Sequence, residues 1–340
     1  MKKILYIVTI PDWGGAQKYV FDSTSFGFDK SEFEITVAYG QPAFDSKINL
    51  MEKCKKSNIP YHQFKNLKRQ ISLYDLPAIW EIKKYIEKEK PDRIHLNSSK
   101  AGIVGSFAAK ISNHKPQVWY TVHGWAFLEP MANWRKKLYI FLERLASKYR
   151  DKIIVLGKKE KKIALEYKIC PEEKIEVKNH IYWGGQSLLE KTNALKVLNL
   201  PQNKKIIGTI ANFYPAKALQ NLIEVASKIN NPDIIFTIIG DGPERNNYEL
   251  LITNYKLQDR FLLLGEKDNA SQYLNAFDLF VLPSIKEGMP YAILEAMQAK
   301  LPIVVTEVGA VPEMLENYPN KTIVPPADIE KLTEAIKKYL

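Results

Sequence analysis

The chain has 340 residues, 46% of them hydrophobic and 26% charged, which is typical of a globular protein with more than one domain. No apolar run reaches the roughly 18 residues of a membrane-spanning helix, and two cysteines are too few for a disulfide framework. The sequence therefore argues against an integral membrane protein and a disulfide-rich secreted domain, and it predicts a cytoplasmic location.

The net charge of +11 is distributed unevenly along the chain. Residues 1–185 hold 33 Lys and Arg and 20 Asp and Glu, a net charge of +13, whereas residues 186–340 hold 16 and 18, a net charge of −2. A basic first half indicates an anionic partner there: a membrane surface, a nucleic acid or a phosphorylated substrate. A general contribution to solubility explains the same excess, and the charge alone does not separate these interpretations.

Short apolar runs rich in β-branched residues alternate with helical patterns along the first half. The first run, Ile4 to Ile10, has no small-residue cleavage site after it and predicts a buried strand rather than a signal peptide. The predicted strands of this half are KILYIVTI, FEITVAYG, IPYHQF, PDRIHLN, QVWYTVHG, DKIIVLG and KIEVKN. Helical stretches such as SLYDLPAIWEIKKYIEKEK and SKAGIVGSFAAKISN lie between them.

The same alternation restarts after a boundary region at residues 193–201. The predicted strands of the second half are KKIIGTIAN, DIIFTIIG, RFLLLGE, FDLFVLPS, LPIVVTE and KTIVPPA, each followed by a helical pattern. Strand–helix alternation is typical of parallel sheets covered by helices. The sequence thus predicts an α/β protein with two doubly wound parallel-sheet domains, residues 1–190 and 191–340, facing each other across a cleft.

Residues just after each strand are site candidates, because open parallel sheets bind ligands beyond the C-terminal ends of their strands. These candidates are Gly14 and Gly15, residues 97–100, residues 123–125, residues 212–217, residues 240–242 and residues 284–290. Gly14 and Gly15 lie at a strand-to-helix turn, where helix N–H groups can approach a phosphate, although a plain tight turn explains them equally. His123 ends an apolar strand, where structural and functional roles are both open. Lys217 is predicted in the first turn of a helix, where its charge opposes the helix dipole unless an anion binds there.

The segment EGMPYAILEA begins at Glu287 and turns into a helix. Gly288 permits an unusual backbone angle, and Pro290 suits the first helical turn. Glu295 follows Pro290 by about 7.5 Å along the helix axis, in a predominantly apolar and buried setting. Each carboxylate can accept from two adjacent sugar hydroxyls, so the pair is predicted to hold two separated parts of one ligand. Alternatively, Glu287 complements the helix dipole and Glu295 is a solvated helix residue.

Five segments together resemble the landmarks of family 4 glycosyltransferases, in the order in which that family carries them. They are DWGGAQ, TVHGWAF, NFYPAKAL, IIGDGPER, and EGMPYAILEAM followed by LPIVVT. The resemblance covers nearly the whole chain. It implies the two-domain GT-B fold and retaining transfer of a sugar from a nucleotide-sugar donor, a UDP-sugar or a GDP-sugar, with no further cofactor.

The resemblance also implies roles for individual residues. It implies that Glu295 binds the nucleotide ribose, that Glu287 holds hydroxyls of the donor sugar, and that Lys217 binds the diphosphate. His123 would lie beside the sugar near the acceptor, so His123, Glu287 and Lys217 are the predicted catalytic residues. The predicted donor-binding residues are Gly14, Gly15, Asn212, Lys217, Gly240, Asp241, Gly288, Met289, Pro290, Leu294 and Glu295.

Three features depart from the family pattern. Asn212 stands where an arginine usually shares the diphosphate with the lysine, so one positive charge is missing. Ala218 stands where glycine is usual. Family members usually continue past the last predicted helix with another that crosses back to the first domain. The chain is therefore expected to be a fragment or a variant with looser domain coupling.

The expected chemistry does not use a metal. The sequence contains no Asp-x-Asp motif, which holds a divalent cation in many sugar transferases. Lys217, helix N-termini and backbone N–H groups are expected to stabilise the leaving diphosphate instead. The transition state should resemble an oxocarbenium ion. No carboxylate is clearly placed as a covalent nucleophile, and the resemblance favours assistance by the leaving phosphate on the same face.

Two other functions are compatible with the predicted fold. A sugar-nucleotide epimerase or hydrolase would need further acid–base residues, and of five histidines only His123 stands at a convincing site. A catalytically impaired subunit would keep the fold and would explain Asn212. A nucleic-acid partner is not expected, because the aromatic residues form no stacking platform within a basic stretch.

The acceptor is predicted from charge and from the resemblance. Residues 133–152, NWRKKLYIFLERLASKYRDK, form a basic amphipathic helix with Trp134 and Phe141 near one side. Such a helix can lie on an anionic membrane or cover a sheet. The bacterial polysaccharide enzymes that the sequence resembles often act on lipid-diphosphate acceptors at the inner membrane face. The sequence therefore predicts a lipid-linked or growing polysaccharide acceptor and a peripheral position on that face.

Overall fold

A computed structural model describes residues 1–27, 29, 31–43, 48–69, 75–129, 131–178 and 187–340. The chain divides into two compact units, Met1–Ile181 and Tyr182–Leu340. The predicted domain boundary after residue 190 stays a prediction, because the division between the units falls among residues outside the described ranges.

The first unit is built on a parallel sheet. Its strands are β1 (Lys2–Val8), β2 (Phe33–Tyr39), β3 (Tyr61–Gln63), β4 (Arg93–Asn97), β5 (Gln117–Val122), β6 (Lys152–Val155) and β7 (Ile175–Val177). Within the described residues the strand order is β3-β2-β1-β4-β5-β6-β7, and the neighbours pair in parallel. The order reverses between β1 and β4, where Val8 pairs with Asn97. Each strand lies in a predicted apolar run, which confirms the first sheet.

Helices cover this sheet. They are α1 (Gly15–Phe26), α2 (Leu50–Lys56), α3 (Asp75–Glu89), α4 (Ser99–Ile111), α5 (Asn133–Ser147) and α6 (Lys158–Glu166). α4 is buried from Ser99 to Ser106 and has α3 and α5 in contact with it. The helix therefore lies in the interior of the unit, and its neighbours present their outer faces to solvent.

A buried ion pair connects α5 to the layers beneath it. Arg150 Nη1 donates to Glu143 Oε2 at 2.7 Å, and the two side chains are 0% and 1% exposed. Arg150 Nε donates to Ser106 Oγ of α4 at 3.1 Å, and the guanidinium lies 3.9 Å from the centre of the Tyr120 ring of β5. Tyr120 also donates its hydroxyl to Glu143 Oε1 at 3.3 Å. The pair thus joins two helices and a strand through its hydrogen bonds.

The second unit repeats the architecture with a smaller sheet. Its strands are β8 (Lys205–Ile210), β9 (Ile234–Ile239), β10 (Phe261–Leu263), β11 (Leu279–Leu282), β12 (Ile303–Thr306) and β13 (Lys321–Val324). Its helices are α7 (Lys191–Val197), α8 (Leu219–Lys228), α9 (Arg245–Asn254), α10 (Tyr291–Gln298), α11 (Val311–Met314) and α12 (Ile329–Lys337). The strand order is β10-β9-β8-β11-β12-β13, with parallel pairing throughout, and it reverses between β8 and β11.

The central strands β9, β11 and β12 of the second unit are buried along their whole length, as continuous apolar runs predict. The edge strands β10 and β13 are largely half-buried. These strands also match the predicted runs, so the second parallel sheet is confirmed. Among the described helices of both units, none combines the length and apolar character required to cross a membrane.

Candidate functional site

In the second unit, candidate residues collect where the strand order reverses. β8 and β11 are neighbours there, and the chain leaves them through residues 211–218 and 283–290. Ile285 N donates to Ala216 O at 3.0 Å, which ties one loop to the other. This edge of an open parallel sheet is where ligands bind, so the topology brings two predicted site segments together.

Lys217 and Glu287 form an ion pair between these loops. Lys217 Nζ lies 2.6 Å from Glu287 Oε1, and Ser284 Oγ donates to the same oxygen at 2.6 Å. The Glu287 side chain is 9% exposed and that of Lys217 is 24% exposed. Charge-assisted hydrogen bonds are strong where solvent is largely excluded. Two residues that were predicted to bind different parts of the donor are therefore direct neighbours.

Ser284 has a structural role that the sequence did not single out within its candidate segment. It follows β11 by two positions and is fully buried. Its carbonyl accepts a hydrogen bond from the Thr306 hydroxyl of β12, while its own hydroxyl donates to Glu287. Ser284 therefore orients the Glu287 carboxylate from the buried side, and its position just after a strand was the signal that could have identified it.

The turn from Glu287 to Pro290 does not use the backbone freedom of its glycine. Gly288 permits an unusual backbone angle but is not among the described residues with a left-handed φ. The left-handed glycine is Gly309, with a φ of +51°, and a Cβ there would lie 2.1 Å from the Glu287 carbonyl oxygen. Ala310 N also donates to Gly288 O at 2.9 Å. The neighbouring loop needs the glycine because it packs directly on the backbone of this turn.

Pro290 lies one position earlier relative to the helix than predicted. It is the N-cap residue of α10, with φ −73° and ψ 117°, because its extended ψ keeps it outside the first turn. Glu295 lies inside α10 and is 8% exposed, which confirms its buried setting. Leu294 and Met289 are half-buried. The donor-binding roles of these residues stay predictions.

Lys217 was predicted in the first turn of a helix. In the structure it lies just before that helix instead. It ends the short 3₁₀ turn Pro215–Lys217, and Ala218 separates it from α8. Ala218 has φ 46° and ψ 42°, a left-handed conformation that costs a non-glycine residue about 1–2 kcal/mol. This conformation explains why glycine is usual at the position. Asn212 is half-buried, and its carbonyl accepts from Tyr214 N at 2.8 Å.

Gly240 and Asp241 shape the loop that follows β9. Gly240 has a φ of +150°, and a Cβ there would lie 2.0 Å from the Ala211 carbonyl oxygen in the loop after β8. Asp241 Oδ1 accepts from Gly242 N at 2.8 Å and from Arg245 Nε at 2.7 Å. Phe213 N also donates to the Asp241 carbonyl oxygen at 2.8 Å, so both residues help to hold the loops after β8 and β9 together. Their predicted contact with the donor stays a prediction.

In the first unit, Gly14 and Gly15 stand at the start of α1. Gly14 is extended, with φ −168° and ψ −173°, and it precedes Gly15, the first residue of the helix. Neither has a left-handed φ, so the backbone conformation does not require glycine at these positions. Gly15 is exposed, and the first turn of α1 contains no acidic residue. A phosphate-binding role for this turn stays a prediction.

The point where the strand order reverses in the first unit is held by two hydroxyls. Thr9 Oγ1 and Ser98 Oγ are 2.6 Å apart, and Ala101 N donates to Thr9 Oγ1 at 3.1 Å. Ser98 has a φ of +83°, which is rare for serine. Backbone strain of this kind costs about 1–3 kcal/mol and persists only where the surroundings enforce it. The residues after β1 and β4 are therefore rigidly connected.

His123 follows β5 directly and has a firmly held backbone. Gly124 has a φ of +98°, so the turn after His123 requires a left-handed residue. Trp125 is fully buried, and its Nε1 donates to Glu160 O at 3.1 Å. The half-buried His123 is thus anchored on one side by a core strand and on the other by a buried indole.

The His123 ring contacts two buried side chains from other elements. His123 Nε2 lies 3.1 Å from Asn97 Oδ1, and the Tyr19 ring of α1 stands edge-on with its centroid 4.9 Å away. Nearby, His95 Nε2 lies 2.7 Å from Thr121 Oγ1, and burial lowers the pKa of His95 to about 3. His95 is therefore neutral at physiological pH. Asn97 was a candidate only as part of the segment 97–100 at the end of a predicted strand.

The charged residues of the second unit's candidate site can bind an anion and hydroxyl groups. In the described ranges, no group of three or more His, Cys, Asp or Glu side chains is arranged to hold a metal ion. Lys217 can hold an anion, and Glu287 and Glu295 can accept hydrogen bonds from hydroxyl groups.

Two family profiles match the chain. The profile described as Glycosyltransferase Family 4 matches residues 13–178, and the profile described as Glycosyl transferases group 1 matches residues 190–340. The chain is 34% identical over 284 residues to UDP-Gal:alpha-D-GlcNAc-diphosphoundecaprenol alpha-1,3-galactosyltransferase of Escherichia coli, covering 79% of this chain and 71% of that protein. It is 24% identical over 285 residues to the capsular polysaccharide biosynthesis glycosyltransferase CapM of Staphylococcus aureus, covering 81% and 74%.

Solved structures share the fold. HepE of Anabaena, solved in complex with UDP and glucose, has a TM-score of 0.79 at 22% identity and covers 99% of this chain and 89% of that one. Sucrose-phosphate synthase of Thermosynechococcus elongatus has a TM-score of 0.80 at 18% identity, with the same coverage of 99% and 89%. The two parallel sheets, the two matching profiles and the Escherichia coli relative agree: the chain belongs to family 4 of the glycosyltransferases and has their two-domain GT-B fold.

Proposed function

We propose that this glycosyltransferase transfers a hexosyl group from a UDP-sugar to a lipid-linked acceptor, with retention of configuration and without a divalent metal. The observation that carries the proposal is the 2.6 Å contact between Lys217 and Glu287 at the reversal point of the second sheet. The bond that breaks joins the anomeric carbon of the sugar to the diphosphate. An ammonium and a carboxylate placed together can bind the groups on its two sides. One side is an anionic diphosphate and the other is a hydroxylated sugar.

Lys217 would stabilise the leaving group. As the bond between the anomeric carbon and the diphosphate breaks, negative charge grows on the phosphate oxygens. A cation already positioned there stabilises that charge without reorganising, and its effect is larger where solvent is partly excluded. The half-buried Lys217, fixed by its contact with Glu287, meets both conditions.

Glu287 would orient the donor sugar. Lys217 and Ser284 both donate hydrogen bonds to Oε1 of Glu287, so Oε2 can accept a hydrogen bond from a sugar hydroxyl. Glu295 lies eight residues further along, buried in α10, and would accept from the ribose hydroxyls. A carboxylate that accepts two adjacent hydroxyls fixes a sugar ring in one orientation. This arrangement supports the predicted division between ribose and donor sugar.

Retention is proposed on the basis of the family resemblance. The acceptor hydroxyl would attack the anomeric carbon on the face from which the diphosphate leaves. Its proton would pass to an oxygen of the departing phosphate, so no side-chain base is required. The oxocarbenium-like transition state would then be stabilised by the same phosphate.

A UDP-sugar is proposed over a GDP-sugar because of the similar proteins. The Escherichia coli relative is named for UDP-Gal, and HepE was solved with UDP. The name of the same relative contains a sugar linked through diphosphate to undecaprenol, which supports a polyprenyl-diphosphate acceptor.

The outer face of α5 supports a peripheral position on an anionic membrane. Trp134 and Phe141 are 63% and 60% exposed, and Lys137 lies between them on the same side of the helix. Aromatic side chains interleaved with basic ones are typical of helices that lie in a membrane interface. The first half of the chain also carries a net charge of +13, which favours binding to an anionic membrane. A protein bound there would be close to an acceptor whose lipid lies in the same membrane.

The test uses purified protein, α-linked UDP-hexoses, and a synthetic lipid diphosphate that carries one N-acetylglucosamine. We expect a disaccharide-lipid by mass spectrometry, an α-anomeric coupling by NMR, and full activity in excess EDTA. A β-linked product would contradict retention. Activity that is lost in EDTA and returns only with Mg²⁺ or Mn²⁺ would contradict the metal-free mechanism.

The same assay distinguishes the other functions compatible with the fold. Release of free sugar, or conversion of the donor to its epimer without acceptor, would support a hydrolase or an epimerase. Binding of UDP without any turnover by the pure chain would support a catalytically impaired subunit.

A further inference from the structure

We propose that Asn97 fixes the tautomer of His123, so that Nε2 carries the ring proton and Nδ1 is the nitrogen that accepts a hydrogen bond or a further proton. Asn97 would thus be a positioning residue. The catalytic consequence of this inference rests on the proposed glycosyl transfer, whereas the tautomer does not.

The orientation of the Asn97 amide follows from its neighbours. Asn97 is the last residue of β4 and is fully buried. Its Nδ2 donates to the His95 carbonyl oxygen at 3.0 Å, and its Oδ1 lies 3.1 Å from His123 Nε2. A carbonyl oxygen only accepts, so the amide NH₂ must face His95. The reversed amide would place two oxygens in contact without a proton between them.

The tautomer of His123 follows from the amide. Because Asn97 Oδ1 also only accepts, the ring nitrogen that faces it must donate. In the neutral ring, Nε2 therefore carries the proton and Nδ1 carries a lone pair. When the ring is protonated, the additional proton binds at Nδ1.

Two described titratable side chains near this ring, those of Tyr19 and His95, are uncharged at neutral pH. Tyr19 approaches from α1, and burial raises the pKa of its hydroxyl. His95 approaches from β4 and is neutral because burial lowers its pKa. Neither side chain places a charge beside His123 that would compete with the Asn97 amide. The edge-on contact with Tyr19 also holds the ring plane in the orientation that Asn97 requires.

A fixed tautomer has a specific use beside a sugar. An unprotonated Nδ1 accepts the hydrogen of a hydroxyl and so sets the direction of that hydroxyl, whereas the other tautomer would present a donor. Metal-ligating histidines are oriented in this way through the other ring nitrogen, and loss of the orienting partner costs about 10- to 100-fold in metal affinity or activity. We expect an effect of the same order for a histidine that orients a hydroxyl.

The decisive measurement is the protonation state of each ring nitrogen in the whole protein. Long-range ¹H–¹⁵N correlation spectra of histidine-labelled protein separate a protonated from an unprotonated ring nitrogen, and His123→Gln assigns the signal. We expect a protonated Nε2 and an unprotonated Nδ1 above the pKa of His123. The opposite pattern, or an equal mixture, would overturn the proposal.

Two variants test the role of Asn97 separately. Asn97→Leu removes the acceptor, and we expect mixed tautomers and a kcat/KM lower by about 10- to 100-fold, with UDP affinity unchanged. Asn97→Asp keeps an acceptor and adds a negative charge. It should keep the Nε2–H tautomer, raise the pKa of His123, and move the acidic limb of the rate profile to higher pH.

Thr237→Val is the matched control, because it removes a buried strand hydroxyl in the second unit, whose hydrogen bond goes to the Leu262 carbonyl oxygen and not to the His123 cluster. Its His123 tautomer should match the wild type. An Asn97→Leu protein that keeps the wild-type tautomer would overturn the proposal. If that variant does not fold, the wild-type spectrum and the Asn97→Asp profile decide.

Failure of the proposed function has a different signature. A wild-type protein that transfers no sugar from any donor contradicts the proposed function, while the spectra still test the tautomer. A wild-type protein that transfers sugar with the opposite tautomer contradicts this inference alone.

Discussion

Lys217 and Glu287 are 70 residues apart in the sequence and form an ion pair with an N–O distance of 2.6 Å. The contact exists because β8 and β11 are neighbours in the second sheet, so the loops after them leave the sheet side by side. Ser284 holds the carboxylate from the buried side. Substitution of either charged residue is therefore expected to disturb the other.

We expect Lys217→Met to lower kcat by about 10²- to 10³-fold, because it removes a preorganised cation from the leaving diphosphate. Glu287→Gln should also lower kcat, because Glu287 is assigned to the sugar. It should not weaken binding of free UDP, because the Lys217 ammonium then no longer pairs with a carboxylate. Steady-state transfer and calorimetric titration with UDP measure the two effects. Lys228→Met, which removes an exposed lysine paired with Glu224 on α8, is the control and should leave both values unchanged. A Glu287→Gln protein with normal turnover but weak UDP binding would refute the assignment.

Glu295→Gln is expected to weaken binding of UDP by about 10- to 100-fold, since a hydrogen bond to a charged group is worth about 1.5–3 kcal/mol. The substitution preserves size in the buried setting of α10, so the fold should survive. Calorimetry with free UDP gives the change directly. Glu224→Gln on the exposed side of α8 is the control. Unchanged UDP affinity in the Glu295 variant would contradict the proposal that Glu295 binds the ribose.

Vesicle binding should depend on anionic lipid and on salt. Each basic side chain near an anionic surface contributes about 1 kcal/mol, and salt screens the attraction over about 8–10 Å. We expect sedimentation with anionic vesicles, little with neutral ones, and release at high salt. Changing Arg135, Lys136 and Lys137 to Glu should weaken binding without changing UDP affinity.

The matched control for this experiment reverses three exposed lysines of the second unit, Lys331 and Lys337 of α12 and Lys338 directly after it. It makes the same change in net charge and should bind vesicles more strongly than the α5 variant. Equal sedimentation of the protein with neutral and anionic vesicles, or none with either, would contradict electrostatic binding to membranes. The positive charge of the first half would then be explained by solubility.

Arg150→Met is expected to destabilise the first unit by about 3–5 kcal/mol, because it leaves the fully buried Glu143 without its partner. The double variant Arg150→Met with Glu143→Leu removes both charges and should cost less. Urea unfolding of the first unit measures the difference. Lys83→Met breaks a near-surface pair with Glu87 and should cost no more than about 1 kcal/mol. A double variant as unstable as the single one would refute the argument.

The strands of both sheets could be predicted because parallel strands that are buried on both faces form continuous apolar runs. The site could be located for a related reason. Polar residues that follow such runs lie at the C-terminal edge of the sheet, and Lys217, Glu287 and His123 all do so.

The local geometry of the site could not be predicted, because it depends on packing between distant segments. Gly288 permits an unusual backbone angle, but the left-handed glycine beside this turn is Gly309, which packs against the Glu287 carbonyl. A left-handed residue is also required at 218, where the sequence has alanine. Likewise, the tautomer proposed for His123 depends on Asn97, 26 residues away in the sequence.

The Lys217–Glu287 pair also has a consequence for the end of the catalytic cycle. Glu287 already neutralises the Lys217 ammonium before a nucleotide arrives, and Asn212 brings no charge where the family usually has arginine. The UDP left after transfer would therefore be held by little net positive charge in these loops. Glu287 would compete with its diphosphate for the Lys217 ammonium. UDP should therefore dissociate quickly, and product inhibition by UDP should be weak. A transferase with two unpaired cations in these loops should be inhibited at lower UDP concentrations.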